Sequence, residues 1–458
     1  MPGAGIFCGV SASVTGVTYA RRLGLFSATM AVIGGIIGGG IFLTPSTVAA
    51  QVGSASFILI AWAVGGLVAL VGAFCFAELG ARRPRVGGGY VYLRDAWGPL
   101  PAFLYGWALL LVIATGAIAA VAVTFASYAL ALAGLSPRLT APVAVGAIVL
   151  LTGVNYVGVK PAAVTQNVFT VLKLAALAAL IIVGLSFSTS TALSRPLPPS
   201  PAPAGLWGVV VSLGTALVPI LFTYGGWQQT NFIAEEIVDP ERNLPRALVL
   251  GVVVVVAVYL LANVAYLHTL GPGGLATSSA PAAGVMRTVL GPIGSTIISA
   301  GIAVSTFGFL NLVILVTPRV FQAMAADGVF FPALARLHPV HRTPTAALLL
   351  QAAWAIVLTL SGTFGQLVSY VAFGDWIFFG LTAASLFVYR ARDRSSAAGF
   401  RVPGYPWTPA LFVIAAAYVV ASSVLANPIH AAVGAGLVAI GVPMYLWQRR
   451  YNHGAVSI

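Results

Sequence analysis

The sequence predicts an all-α integral membrane protein of twelve transmembrane helices. These form two inverted repeats of five helices, with the first helix of each repeat broken, and two further helices behind them. Three observations carry this prediction. Of 458 residues, 59% are apolar and only 7% are charged, against roughly a quarter charged in a soluble domain. The apolar residues run in long stretches rather than in the ten-residue alternations of a membrane β-barrel. At about 20 residues per crossing of a ~30 Å hydrocarbon core, they suffice for on the order of a dozen spans.

In chain order, residues 1–24 read as a cytosolic tail. Its weakly apolar stretch has no charge before it, and Arg21 and Arg22 come after it, which is the reverse of a cleaved signal peptide. Apolar stretches at 25–50, 56–80, 98–133, 140–158 and 164–186 make up the first repeat, 25–186. The third is long enough for a single, strongly tilted helix. Residues 187–206, rich in Ser and Pro, cannot continue a helix and read as an extracytoplasmic loop. The second repeat, 207–391, holds the stretches 207–233, 246–268, 286–318, 344–361 and 366–389. Residues 392–448 carry the last two, 407–426 and 429–447, and 449–458 form a second cytosolic tail.

Orientation follows from the basic residues, because translocation of positive charge is disfavoured. With the N-terminus inside, only Arg138, Arg195 and Arg287 lie outside and Lys173 lies within a span. The other eighteen of the 22 basic residues face the cytosol. The net charge of +13, which in a soluble chain suggests nucleic acid, is thus charge facing anionic lipid heads. No nucleic-acid motif is present. Two cysteines, Cys8 and Cys75, give neither a disulfide framework nor a multi-cysteine metal site. The glycine run 87–89 lacks a following Lys-Ser/Thr, HExxH and CxxC are absent, and the five histidines are scattered. No enzymatic, metal or cofactor site is expected.

The first span contains Gly34-Gly35-Ile36-Ile37-Gly38-Gly39-Gly40-Ile41-Phe42, followed by Thr44-Pro45. Each glycine costs a helix interior roughly 0.5–1 kcal/mol relative to alanine. Gly34/Gly38 and Gly35/Gly39 are also GxxxG pairs, which allow another helix to approach. The sixth span carries a second interruption, Phe222-Thr223-Tyr224-Gly225-Gly226-Trp227-Gln228-Gln229. The second lies five spans after the first, so they enter the membrane from opposite sides, as an inverted repeat requires, and such paired breaks point to a transporter binding site near the midplane. Unwinding frees backbone groups that lipid cannot satisfy but a polar substrate can. The half-helix starting near Gly39 directs its positive end at an anion such as a carboxylate, and the carbonyls around Ile36 suit an ammonium group. One site then accepts both charges of a zwitterion.

These residues resemble the amino acid/polyamine/organocation (APC) superfamily of transporters, in particular its L-type amino-acid transporter branch. GGIIGGGIFLTP in the first span is similar to that family's G-x-x-x-G-S-G-I-F signature. PRVGGGYVYLRDAWGP at 84–99, FTYGGWQQTNFIAEEIVDPERNLPRAL at 222–248 and STFGFLNLVILVTPRVFQAMAADG at 305–328 agree in order. Gly39 departs from the usual serine and Gln228 from a frequent asparagine. The resemblance implies a LeuT-like fold, with the substrate carboxylate held by the amides of Gly39, Gly40 and Ile41. It implies an α-amino group held by the carbonyls of Ile36, Phe222 and Gly225, with Thr223 and Gln228 beside them and the Phe222 ring closing over the substrate. An aromatic ring simply packed between helices is the plainer alternative for Phe222. The resemblance also implies that Lys173 takes the place of a sodium ion, joining first-span carbonyls near Gly34 to Ser305. Snorkelling of its stem to the interface is the alternative. Family members that pair with a glycoprotein subunit use a cysteine between the third and fourth spans. Residues 134–140 contain none, so no disulfide-linked subunit is expected.

Among the remaining charges, Glu78 reads as interfacial near Arg82 and Arg83. Asp375 reads as an interfacial carboxylate or a contributor to an outer gate. Glu235, Glu236, Asp239, Glu241 and Arg242 form either inner-gate ion pairs or a solvated loop. The leading functional expectation is a secondary carrier of neutral L-amino acids working by alternating access, either as a sodium-independent exchanger or coupled to protons. Neutrality is expected because neither broken segment offers a carboxylate to a cationic side chain. An ion-coupled symporter of polyamines, cationic amino acids or nucleobases on the same fold is one rival, and a non-transporting amino-acid sensor is another. A sensor would normally append a soluble domain, and few residues follow the last span. Twenty arginines against two lysines, with abundant Ala and Gly, suggest a GC-rich genome and a bacterial inner membrane, with both termini cytoplasmic. Oligomeric state is not legible.

Overall fold

The computed structural model describes residues 17–186, 205–362, 364–393, 399–426 and 428–455. Most of the loop 187–206, together with Arg195 and Cys8, lies outside them. The described residues are helical, and an isolated parallel bridge between Leu23 and Ile237 is their only β pairing.

The first apolar stretch is split into α1 (Leu25–Ile36) and α2 (Gly40–Val52), bent by 43°. It is followed by α3 (Ala55–Arg82) and the short α4 (Gly89–Trp97). The third stretch is one continuous helical span, Pro99–Ala133, with a π turn inside it. It consists of α5 (Pro99–Ala108), a π turn (Leu109–Ile113) and α6 (Ala114–Ala133). The π turn leaves backbone groups misaligned, and the Thr115 hydroxyl donates to Leu110 O at 2.6 Å across it. Single π turns of this kind often border functional cavities. Helices α7 (Thr140–Val157) and α8 (Val159–Ser186) complete the first half.

In the second half, α9 (Gly205–Thr223) gives way to a 3-10 segment, Trp227–Glu236. Then come α10 (Pro240–Ala276), α11 (Pro281–Leu290), α12 (Pro292–Val316) and α13 (Pro318–Ala326). The remaining helices are α14 (Thr345–Ser361), α15 (Phe364–Arg392), α16 (Trp407–Ala426), α17 (Pro428–Ala439) and α18 (Gly441–Ala455). Residues 449–455 of the second tail continue α18. Among the described residues, eight helical stretches are long and apolar enough to cross a membrane, and the bent α1–α2 pair makes a ninth.

Packing centres on the two interrupted segments. α1 lies against α8, α10, α12 and the 3-10 segment, whereas α2 lies against α9 and α10. α15 packs on α3, α4, α6 and the π turn. Outward-facing Leu, Val and Ile side chains such as Ile182 and Leu150 remain exposed, which suits a lipid solvent.

Candidate functional site

α1 stops inside the bundle because Ile37 turns extended and Gly38–Gly40 follow it. A helix end leaves up to four carbonyls without intrahelical donors, and each unsatisfied group in hydrocarbon costs several kcal/mol. Neighbouring helices supply donors here. Lys173 of α8 is fully buried, and its Nζ donates to Gly34 O at 3.1 Å and to Ile37 O at 2.6 Å. Ser305 of α12 donates to Gly38 O at 3.0 Å and lies 3.4 Å from Ile37 O. Ile36 O accepts from Gly38 N–H at 3.0 Å and from the Tyr259 hydroxyl at 3.1 Å. The lysine does not reach the interface. Its ammonium sits at the negative pole of the α1 dipole and shares Ile37 O with Ser305.

The second break is built differently. Gly226 takes φ 113°, in the region that side chains disfavour, and its amide donates to Gln228 Oε1 at 3.0 Å. Gln228 is thereby folded back onto its own backbone. Gly225 N–H donates to Phe222 O at 3.1 Å. The two breaks touch: a Cβ at Gly226 would lie 2.0 Å from Gly35 O, and one at Gly35 2.8 Å from Gly226 O. Gly34 faces Gln166, where a Cβ would meet Nε2 at 1.9 Å. Gly34 and Gly35 therefore serve close packing, while Gly38, Gly39 and Gly40 line open space. Tyr259 lies within hydrogen-bond reach of both Ile36 O and Thr223 O, at 3.1 and 3.4 Å. The Thr223 hydroxyl bonds Thr44 Oγ1 at 2.9 Å, tying α9 to α2. Neither Tyr259 nor Thr44 was singled out by the sequence, because nothing in a helical apolar run marks which hydroxyl faces a break.

Between these segments lies a cavity of about 400 Å³, a volume typical of small-molecule sites. Ile36, Gly39, Gly40, Phe222, Thr223, Gly225 and Gln228 all contribute to its lining. Ile41 does not: its side chain is buried and its carbonyl accepts from Tyr266 at 3.1 Å. The Gly40 and Ile41 amides at the start of α2 have no helical acceptors, whereas Phe42 N–H donates to Gly39 O at 3.2 Å. At Gly39 a Cβ would meet only Thr306 Cγ2, at 3.9 Å, so the position is roomy. The cavity runs between α2 and α6 past Thr44 and Thr124, and Phe222 is 46% exposed within it.

Asp375, which the sequence left between an interfacial and a gating place, lines the cavity with Tyr105 and Trp376. The premise that no carboxylate faces the site therefore fails, because one turned in from α15 rather than from a broken segment. Glu78 is fully buried and accepts from Arg82 Nε at 2.8 Å, Arg390 Nε at 2.9 Å and Val402 N–H at 2.7 Å. Arg83 turns away from it to Asp393 at 3.0 Å.

At the arginine-rich end the bundle is closed. Glu236, at the end of the 3-10 segment, pairs with Arg319 of α13 at 2.8 Å, both at 1% exposure or less. The chain before α1 crosses this pair: Arg22 and Leu23 N–H donate to Glu236 O at 2.9 Å, and the Tyr19 hydroxyl to Gln322 Oε1 at 3.3 Å. Asp239, Glu241 and Arg242 are exposed and Glu235 is half-buried, so of the acidic cluster only Glu236 is held in a buried ion pair. Removing one partner of a buried pair costs about 3–5 kcal/mol, while an apolar replacement of both is tolerated. Arg319→Ala is expected to lower the detergent-solubilised melting midpoint clearly, and Arg319→Met with Glu236→Leu to recover most of the loss. An unchanged midpoint in Arg319→Ala would show that the pair is not a clasp.

Residues 23–446 match the family profile described as amino acid permease. The chain is 33% identical over 446 residues to the mouse large neutral amino acids transporter small subunit 2, covering 95% of this chain and 83% of the relative. It is 31% identical over 436 residues to the Bacillus subtilis serine/threonine exchanger SteT, covering 94% and 97%. It is 33% identical over 415 residues to the human b(0,+)-type amino acid transporter 1, covering 89% and 83%. Helices of membrane-spanning length, a cavity at two touching backbone breaks and matches over nearly the whole chain lead to one assignment: the protein belongs to the amino acid permease family, within the amino acid/polyamine/organocation superfamily and on its L-type side, and is a membrane transporter, not an enzyme.

Proposed function

We propose that the protein is a secondary carrier of neutral L-amino acids that works by alternating access without sodium, either by exchange or by proton coupling. The observation that carries this reading is the cavity at the two breaks. One wall presents the unpaired first-turn amides of α2 at Gly39 and Gly40, and the adjoining end of α1 is satisfied by Lys173 rather than by an ion. A carboxylate sits at those amides, with Ile41 contributing through its backbone alone. The ammonium group sits beside Phe222 O and Gly225 O. Ile36 O already accepts two protein donors, so its use requires the Tyr259 hydroxyl to move. Phe222 is the gate, and its exposure on the cavity wall supports that role.

The proposed topology has twelve spans in a five-plus-five inverted repeat with two added helices, α9 with the 3-10 segment, α14 and α15 supplying the sixth, ninth and tenth spans. Both termini face the cytoplasm of a bacterial inner membrane. With the arginine-rich end inside, the described state is open outward and clasped inward by Arg319 and Glu236. The stretch 134–140 offers no cysteine and Cys75 is buried, which supports a carrier without a disulfide-linked subunit. The names of the two relatives that specify neutral or hydroxyl amino acids support the substrate class, and Asp375 is the observation that favours a cationic one. Competition against labelled alanine on purified protein tests this. Neutral amino acids are expected to compete best, and lysine or arginine outcompeting every neutral amino acid would overturn the neutral assignment.

A further inference from the structure

The carboxyl group of Asp375 has no role in the reading above. Among the described residues it is the only Asp, Glu, Lys or Arg lining the cavity. Among the described residues it has neither an ion-pair nor a hydrogen-bond partner, whereas the buried Glu78 and Glu236 are bonded to arginines. A carboxyl group within a membrane span costs a few kcal/mol and is retained where it meets a partner. No described residue plays that part. The remaining walls are mostly apolar or aromatic, among them Ile113, Phe309, Trp376 and Phe379. Asp375 also enters from α15, a different wall from the backbone breaks that take the zwitterion, so its partner belongs to another part of the ligand.

We infer that Asp375 forms a side-chain subsite that selects amino acids whose side chains carry an O–H or N–H donor over aliphatic ones of equal size. This rests on the proposed amino-acid carrier and narrows its substrate class. A hydrogen bond to a charged group discriminates by roughly ten- to a hundredfold against a ligand that lacks the donor, because the acceptor is otherwise desolvated and unpaired. Threonine and valine differ by one such group at nearly constant shape. Glutamine and methionine are a longer pair of the same kind.

The test is the ratio of half-inhibitory concentrations within each pair, read as competition against labelled alanine uptake into proteoliposomes. It compares the wild type, Asp375→Leu and the isosteric Asp375→Asn, which keeps an acceptor. In the wild type, threonine is expected to compete at least about tenfold better than valine, and glutamine better than methionine. Asp375→Leu is expected to bring both ratios close to one, and Asp375→Asn to hold them between the two. Equal competition by threonine and valine in the wild type, or a ratio unmoved in either variant, would overturn the subsite while leaving the carrier intact. Lysine and arginine dominating in the wild type and failing in Asp375→Asn would uphold the subsite and overturn the neutral assignment. Absence of competition by any amino acid would overturn both.

Discussion

Lys173→Ala is expected to lose uptake on the order of a hundredfold, while the cavity still binds substrate. Truncation leaves Gly34 O and Ile37 O buried without their donor, at roughly 1–3 kcal/mol for each unsatisfied group. Only Ile37 O keeps a second contact, to Ser305 at 3.4 Å. The link from α8 to the end of α1 is then gone, and a carrier whose halves must move as units cycles poorly when one is untied. In the proposed role the Lys173 amino group already occupies this place, so a sodium ion there is excluded and uptake should not need it. Measured together, sodium-free uptake and substrate-induced thermal stabilisation separate transport from binding. Sodium-dependent uptake by the wild type, or full activity in Lys173→Ala, would refute this role.

Gly40→Val is expected to weaken substrate binding by roughly a hundredfold or more, equivalent to about 2.7 kcal/mol, with a smaller effect on stability. A Cβ at Gly40 would lie 2.9 Å from both Cγ2 and Oγ1 of Thr223. That side chain cannot swing away freely, because its hydroxyl bonds Thr44 and lies 2.8 Å from Pro219 O. The branched valine therefore pushes α2 from α9 and crowds the amides proposed to hold the carboxylate. Overpacking of this sort costs typically about 1–3 kcal/mol. Thr223→Ala in the same chain should restore part of the binding of the milder Gly40→Ala variant. Wild-type affinity in purified, monodisperse Gly40→Val would overturn the assignment of the carboxylate to this helix end.

Much of this was legible because backbone breaks and charge placement are written locally. Gly38–Gly40 and Gly225–Gly226 announce themselves by composition, and a lysine inside an apolar span announces a buried donor. What escaped depends on which way a helix faces. Asp375 is visible as an acid within the tenth span, yet only the seating of α15 on α6 and the π turn directs it into the cavity. The π turn itself lies in Leu109–Ile113, whose apolar side chains look the same in either helix type. Glu78 and Arg390 are 312 residues apart, and Glu236 and Arg319 are 83 apart. Pairing across such distances follows from packing rather than from local pattern. Tyr259 bridges both breaks for the same reason: its register on α10 is set by the helices around it.

The central claim, a sodium-independent carrier with its site at the two touching breaks, is tested most directly by flux. Purified protein in sodium-free proteoliposomes would be given labelled threonine, alanine and leucine outside, with and without unlabelled amino acid inside. The expected result is saturable uptake of neutral amino acids without sodium, accelerated by internal substrate or by an inward proton gradient, and abolished in Gly40→Val. No saturable uptake of any amino acid, or uptake that appears only when sodium is added, would contradict it.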